Sequence, residues 1–370
     1  MVKNFLVPPG FKDNLNFDSF VEHQYKNIIV EYFRSNGFNL IKTPLIEYTN
    51  NLSKNSFSIK TKTKKEKISI RDDITPQIIR IASSRLVNKK RPLKICYYGE
   101  VVRKKGTILR PERQFQQVGA EIIGSESFKA DVEIINLAYE TLKKIGVKNI
   151  VIEISLPSIL NKLINKIRNH NAKKSLIKYI QLRDLKSSLS ILSNKNQEIE
   201  LKNLYQCSGP IKIKENKIKE LAKYKEHQND IKRLIKITNL IKLSKEDSIN
   251  IDLFELQNDN YYTGLKFTFF AKNVRGEIAK GGRYILNYIN NSETAIGYTC
   301  FMDTVIRASS FENKNKKILI PFNTTNKIKS SLIKKGYCIF TSFDDTANFQ
   351  NQTKAFGFNY YLNNNKVKKI

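Results

Sequence analysis

The chain has 370 residues, 40% of them hydrophobic, and a formal net charge of +31. No run of about 20 apolar residues occurs, and the start, MVKNFLVPPGFKD, has no unbroken apolar segment, so a cytoplasmic globular protein with no membrane partner is expected. Cys96, Cys207, Cys300 and Cys338 form no CxxC pair, and His23, His170 and His227 are equally scattered, which argues against a metal site or a disulfide framework. The positive charge reads as composition bias more than as a nucleic-acid signal. The excess lysine arrives with asparagine and isoleucine, as in NKNQEIELKN, which reads as a composition bias. The clusters KTKTKKEK (60–67) and NKKRPLK (88–94) read as solvated loops.

In chain order, residues 17–36 space Phe20, Tyr25, Ile28, Ile29, Tyr32 and Phe33 as a helix that Gly37 stops. FNLIKTPLIEY follows as a strand broken by Pro44, and 66–71 as a short strand. Thr75-Pro76 predicts a hydroxyl-capped helix running through QIIRIASSRLV. Strands over 94–103 and 113–123, a helix over 129–145 ending at Gly146, and a strand over 150–155 come next. Residues 157–245 are lysine-rich and helical, an insertion with no constellation of chemical groups. The interval 248–310 returns to strands (INIDLFEL, YTGLKFTFFAK, EIAKGGRY) and ends with TAIGYTCFMDTVIRAS running into a helix. ENKNKK (312–317) reads as a linker, and the remainder as β-α-β-α-β. The expected fold is α+β: an antiparallel-rich sheet core flanked by helices over 1–312, and a small α/β domain over 316–370.

The segment RKKGTILRPERQFQQVGAE, from Arg103 to Glu121, concentrates the chemistry. Strand alternation puts Phe115, Gln117, Gly119 and Glu121 on one face, with Arg103 at the end of the neighbouring strand. A cation, an amide and a carboxylate on one sheet surface suit a zwitterionic amino acid with a polar side chain.

At these residues the chain resembles the catalytic domain of class II aminoacyl-tRNA synthetases, specifically histidyl-tRNA synthetase. FNLIKTPLIEY resembles the dimer-forming motif 1, RDDITPQIIRIA the amino-acid-binding loop, Arg103–Glu121 motif 2 with the RQFxQxGxE signature, and YYTGLKF with GGRY the histidine-specific tyrosine pair and the strand before motif 3. The resemblance implies a class II synthetase-like sheet and a histidine pocket. Asp73 and Thr75 would bind the ligand's ammonium, and Arg103 would lie at its carboxylate. Gln117 and Glu121 would contact the ammonium or imidazole, and Tyr261 and Tyr262 would close over the ring. Taken alone, Asp73 and Thr75 are equally consistent with helix capping, the tyrosines with ordinary strand positions, and GGRY with a turn.

The departures are functional. Where the family carries arginines for the carboxylate and α-phosphate and for the ATP triphosphate, this chain has Gln257 and Thr304. Phe301 replaces a motif 3 glycine, and Lys105 a motif 2 glutamate. Arg307 lies three residues beyond Thr304 and is expected to point elsewhere. Removing a preorganised donor at a transition state costs about 10²–10³ in rate, so no aminoacylation and no catalytic residues are expected. Retained amino-acid contacts with lost ATP contacts resemble the regulatory subunit of ATP phosphoribosyltransferase, a non-catalytic synthetase paralogue. That resemblance implies a catalytic-subunit partner, a homodimer through motif 1, L-histidine as effector and no cofactor. The alternatives are a divergent, truncated histidine-activating enzyme and an RNA-binding paralogue.

Overall fold

The structure is a computed structural model and describes residues 6–15, 17–61, 67–256, 262–287, 292–310, 316–344 and 348–370. The chain forms two compact units, Met1–Ser310 and Phe311–Ile370.

Helix α1 (Phe17–Ser35) buries Val21, Tyr25, Ile29 and Phe33, a strict four-residue stripe. Phe20 and Ile28, expected on the same face, are instead exposed at 38% and 39%. Gly37 takes φ +82° and ends the helix. Pro44 divides the expected strand into β1 (Asn39–Ile41) and β2 (Ile46–Tyr48), which join different sheets. β3 (Phe57–Ile59) and β4 (Ile68–Ile70) complete a three-stranded sheet with β2. β3 was not anticipated, and most of the KTKTKKEK cluster falls outside the described residues. Helix α2 (Thr75–Ser83) ends earlier than expected.

β5 (Leu93–Val102) and β6 (Gln114–Ile123) pair antiparallel along their whole length. NKKRPLK is not a free loop, because Arg91 pairs with Glu293 at 2.8 Å and Lys94, within β5, with Glu133 at 2.5 Å. Helix α3 (Phe128–Lys144) is capped by the Ser127 side chain and leads to β7 (Ile150–Ser155). The insertion holds α4 (Pro157–Asn165), α5 (His170–Gln181), α6 (Leu185–Ser190), α7 (Lys195–Gln206), the two-residue β8 (Gly209–Pro210), α8 (Ile211–Glu220) and α9 (Gln228–Leu240). The core resumes with β9 (Ser248–Ile251), β10 (Tyr262–Ala271), β11 (Ala279–Asn287), β12 (Ser292–Phe301) and α10 (Met302–Ala308).

Nine strands form one sheet in the order β1-β5-β6-β12-β11-β10-β7-β9-β8. All pairings are antiparallel except β1–β5 and β7–β9, so the sheet is mixed but antiparallel-rich. One face packs on α1 and α3, where Tyr298 meets Phe33 edge-on at 5.9 Å and Thr141 Oγ1 at 3.1 Å. On the other, Ile74, Ile78 and Ala82 of the α2 region pack against Ile95, Val101 and Phe115. Asp131 of α3 holds the insertion to the sheet: it accepts from Arg283 of β11 at 2.6 Å and from Arg233 of α9 at 2.5 Å.

The second unit contains β13 (Lys316–Ile320), α11 (Asn326–Lys334), β14 (Tyr337–Thr341), α12 (Phe349–Ala355), β15 (Tyr360–Asn363) and β16 (Lys366–Lys369). β13 runs parallel to β14 and β15 around Ile318, Ile320, Leu332 and Leu362. The unexpected β16 closes a hairpin on β15, because Asn364 and Asn365 both adopt positive φ, as a two-residue hairpin turn requires.

Candidate functional site

A cavity of about 460 Å³ opens over the face of β5, β6, β12, β11 and β10, within the usual range for a small-ligand site. Directly paired residues in antiparallel strands share a face. The register Tyr97–Gly119, Gly119–Thr299, Glu121–Gly297, Gly297–Gly282 and Thr299–Lys280 therefore assembles one wall from four strands. Glycines at three of these places let large groups lie flat on the sheet. A Cβ on Gly119 would meet the Tyr97 ring and one on Gly282 the Tyr262 ring, while one on Gly297 would overlap the Glu121 carboxyl group.

Glu121 is the centre of this wall. Its Oε2 accepts from Tyr284 at 3.0 Å, and its Oε1 from Tyr97 at 3.2 Å and Thr75 Oγ1 at 3.4 Å. Burial pushes its carboxyl up to about 8, against the lowering effect of the tyrosine hydrogen bonds. Near neutrality this carboxyl therefore largely holds its proton. The hydroxyl chain continues from Tyr97 to Thr299 at 2.8 Å and to Thr75 at 3.0 Å.

Thr75 is not the helix cap that its position before Pro76 suggested. The cap residue of α2 is Ile74, without a side-chain bond, and the Thr75 hydroxyl is spent on Tyr97 and Glu121. Asp73 Oδ1 accepts from the Thr75 backbone N–H at 3.0 Å and also lines the cavity. Gln117 shares the face of Glu121 but is covered by the 72–75 loop and does not line the cavity. Its Oε1 accepts from Ile74 N–H at 3.1 Å, holding the 72–75 loop in place, while its Nε2 is buried without a partner. Arg103 and Tyr262 line the cavity, and Tyr261 and Gln257 lie outside the described residues. GGRY is not a turn but the middle of β11, with Gly282 and Tyr284 facing the cavity and Arg283 facing Asp131.

Sequence reasoning missed Asp72, Lys280, Tyr284 and Thr299 as lining residues. Alternation within EIAKGGRY carried the signal, since Lys280, Gly282 and Tyr284 are two residues apart. Asp72 adds an anionic group beside Asp73: its Oδ2 accepts from Ser53, and its Oδ1 is buried and unpartnered.

The remaining motif positions are occupied structurally. The Thr304 hydroxyl shares its one proton between Glu277 O at 2.8 Å and Phe301 O at 3.0 Å. The Phe301 ring fills the floor beneath Arg110, whose guanidinium lies 3.8 Å from the ring centroid and binds Asp303 at 2.8 Å. Arg113 donates to Arg103 O and Pro9 O, and Arg307 pairs with Glu112 at 2.7 Å, away from the cavity wall. In the insertion, Glu200, Glu226 and His227 come close enough to hold an ion. A lysine already lies there: Lys166 Nζ pairs with Glu226 and sits 3.0 Å from Glu200, which meets His227 at 2.7 Å.

The family model described as Histidyl-tRNA synthetase matches residues 10–305. The chain belongs to that family. Among curated relatives, the ATP phosphoribosyltransferase regulatory subunit of Rhodospirillum centenum is 27% identical over 99% of this chain and 96% of its own length. The protein of the same name from Paramagnetospirillum magneticum is 28% identical over 99% and 98%. Of the solved structures, an ATP phosphoribosyltransferase regulatory subunit/histidyl-tRNA synthetase from Bacillus halodurans gives a TM-score of 0.79 at 20% identity, covering 96% of this chain and 97% of that one. The histidyl-tRNA synthetase of Nostoc gives 0.77 at 18% identity, covering 97% and 91%. These structural likenesses establish the histidyl-tRNA synthetase-like fold, a central mixed sheet flanked by helices. Within that family fold, Glu121 and its partners wall the cavity, the Thr304 hydroxyl is committed to backbone carbonyls, and the Phe301 ring forms part of the cavity lining.

Proposed function

We propose that this chain is the non-catalytic regulatory subunit of an ATP phosphoribosyltransferase, which it activates in the first step of histidine biosynthesis, and that L-histidine bound in the cavity inhibits the complex. One observation carries the reading. The cavity keeps the groups an amino acid needs (Asp73, Thr75, Arg103, Glu121, Tyr262), while of the two motif 3 positions Thr304 turns inward onto Glu277 O and Phe301 fills the cavity floor beneath Arg110. The consistent naming of the curated relatives as regulatory subunits supports the same conclusion and does not favour a truncated histidine-activating enzyme.

In this reading Asp73, with Asp72 beside it, receives the ammonium, and Glu121 with its tyrosines receives the imidazole. Tyr262 closes over the ring, and Gln117 fixes the loop that carries Asp73 and Thr75. Histidine then needs only a coupling free energy of about 1–3 kcal/mol to the partner's active site. A homodimer through the segment around Pro44 is supported by Leu40, Leu45, Ile46 and Tyr48, which are between 42% and 60% exposed. A cytoplasmic setting fits the four free cysteines, and no helix among the described residues is long and apolar enough to cross a membrane.

The test mixes the protein with a short-form phosphoribosyltransferase catalytic subunit. Activity should rise on mixing and fall again with millimolar L-histidine, while the protein alone should catalyse no histidine-dependent exchange of pyrophosphate into ATP. Exchange, or a mixture no more active than the catalytic subunit alone, overturns the reading.

A further inference from the structure

Two cations in the cavity wall lack anionic partners. The Arg103 guanidinium makes one hydrogen bond, from Nε to Asp72 O at 3.4 Å, and otherwise lies over aromatic rings, 4.8 Å from Phe115 and 5.9 Å from Phe301. Lys280 approaches the same Phe301 ring, with Nζ 5.7 Å from its centroid. Among the described residues no carboxylate lies within ion-pair distance of either, although other buried or half-buried cations nearby are paired: Arg110 with Asp303, Arg283 with Asp131, Lys266 with Glu255. Burial and the charge of Arg103 lower the proton affinity of Lys280, while Asp73 and Glu277 raise it without forming an ion pair. Both side chains face the cavity, where one anionic ligand group could pair with them.

We infer that Lys280 and Arg103 form a two-cation clamp for the carboxylate of the amino acid bound in this cavity. Lys280 thereby takes the place of a charge that Gln257 does not provide. The inference rests on the amino-acid-sensing reading and adds to it the residue that selects for a free carboxylate. The geometry is favourable. Lys280, Gly282 and Tyr284 alternate along one strand, with the Tyr262 ring lying over Gly282, so a ligand whose ring reaches the Tyr284–Glu121 bond can pass beside the Tyr262 ring and lay its carboxylate towards Lys280. Asp72 and Asp73, on the loop ahead of α2, supply the opposite charge for the ammonium.

Calorimetric titration of L-histidine and of histidinamide, which lacks the carboxylate charge, tests this with three proteins. Lys280→Gln should weaken L-histidine binding roughly 10- to 100-fold, the loss expected for one charge-assisted contact. Lys280→Arg should restore most of it, and histidinamide should bind the unsubstituted protein and Lys280→Gln equally. Unchanged L-histidine affinity in Lys280→Gln, or equal weakening of both ligands, overturns the clamp while leaving amino-acid sensing intact. An unsubstituted protein that binds no L-histidine overturns the sensing reading and the clamp with it.

Discussion

Gly297 of β12 lies directly beneath the carboxyl group of Glu121 on β6, paired with it across the sheet, and a Cβ at Gly297 would overlap that group, Oε1 included at 2.7 Å. The absence of a side chain at one position thus fixes where the acid at the other sits. Gly297→Ala should push Glu121 off its bonds to Tyr97 and Tyr284. Overpacking of this kind costs about 1–3 kcal/mol, so the variant should fold with a lowered melting temperature. L-histidine affinity should fall at least tenfold in calorimetric titration, and unchanged affinity would show that the acid's position does not matter.

The same carboxyl predicts a pH dependence. Glu121 titrates near 8 in the folded chain because burial raises it, whereas an unfolded glutamate titrates at about 4.3. Between those values the folded chain holds a proton that the unfolded chain has released. The stability contributed by this group is therefore complete below about pH 4.3 and is lost as pH rises through about 8, with a slope of at most about 1.4 kcal/mol per pH unit. Urea unfolding at about pH 5.5 and 7.5 should show this loss in the ligand-free protein. Glu121→Gln should flatten it, and an equally steep slope in that variant would assign the effect to other groups.

How much of this site was legible in the sequence depended on whether local rules met tertiary partners. The alternation of Phe115, Gln117, Gly119 and Glu121 survives because strand geometry dictates it. Gln117 nevertheless serves the 72–75 loop rather than the cavity surface, a distinction that only the path of that loop makes. Thr75 before a proline reads locally as a cap, but Tyr97 and Glu121 offer its hydroxyl better partners from 22 and 46 residues away. Lys280 was hidden by its neighbours. A Gly-Gly pair usually marks a turn, and here both glycines instead make room, Gly281 for Phe267 and Gly282 for Tyr262. In the C-terminal unit, the Asn364-Asn365 turn was a readable hairpin signal that the asparagine-rich background obscured.

Asp131 ties the helical insertion to the sheet. Its side chain is fully buried and serves both Arg283 of β11 and Arg233 of α9. Asp131→Ala leaves the Arg283 guanidinium buried without its anion, a change that typically costs about 3–5 kcal/mol. Arg233→Ala removes a side chain that is 33% exposed and leaves the Arg283 pair in place, so its loss should be much smaller. Chemical denaturation of the two variants should rank them in that order, and a reversed order would mean that α9, rather than β11, depends on this carboxylate.

The segment around Pro44 presents Leu45, Ile46 and Tyr48 at 46%, 45% and 60% exposure, next to Leu40 at 42%. Leu40 on β1, Leu45 just before β2, and Ile46 and Tyr48 on β2 are large exposed apolar groups of the kind an interface covers. Because each is already half out of the protein, a charge placed there costs the isolated chain little, whereas burying it in a dimer is expensive. Leu45→Arg should therefore leave the melting temperature of the monomer nearly unchanged and shift sedimentation from dimer to monomer. If the homodimer carries the signal between subunits, activation of the catalytic partner should fall in the same variant while L-histidine still binds. A Leu45→Arg protein that sediments as a dimer would exclude this segment from the dimer interface.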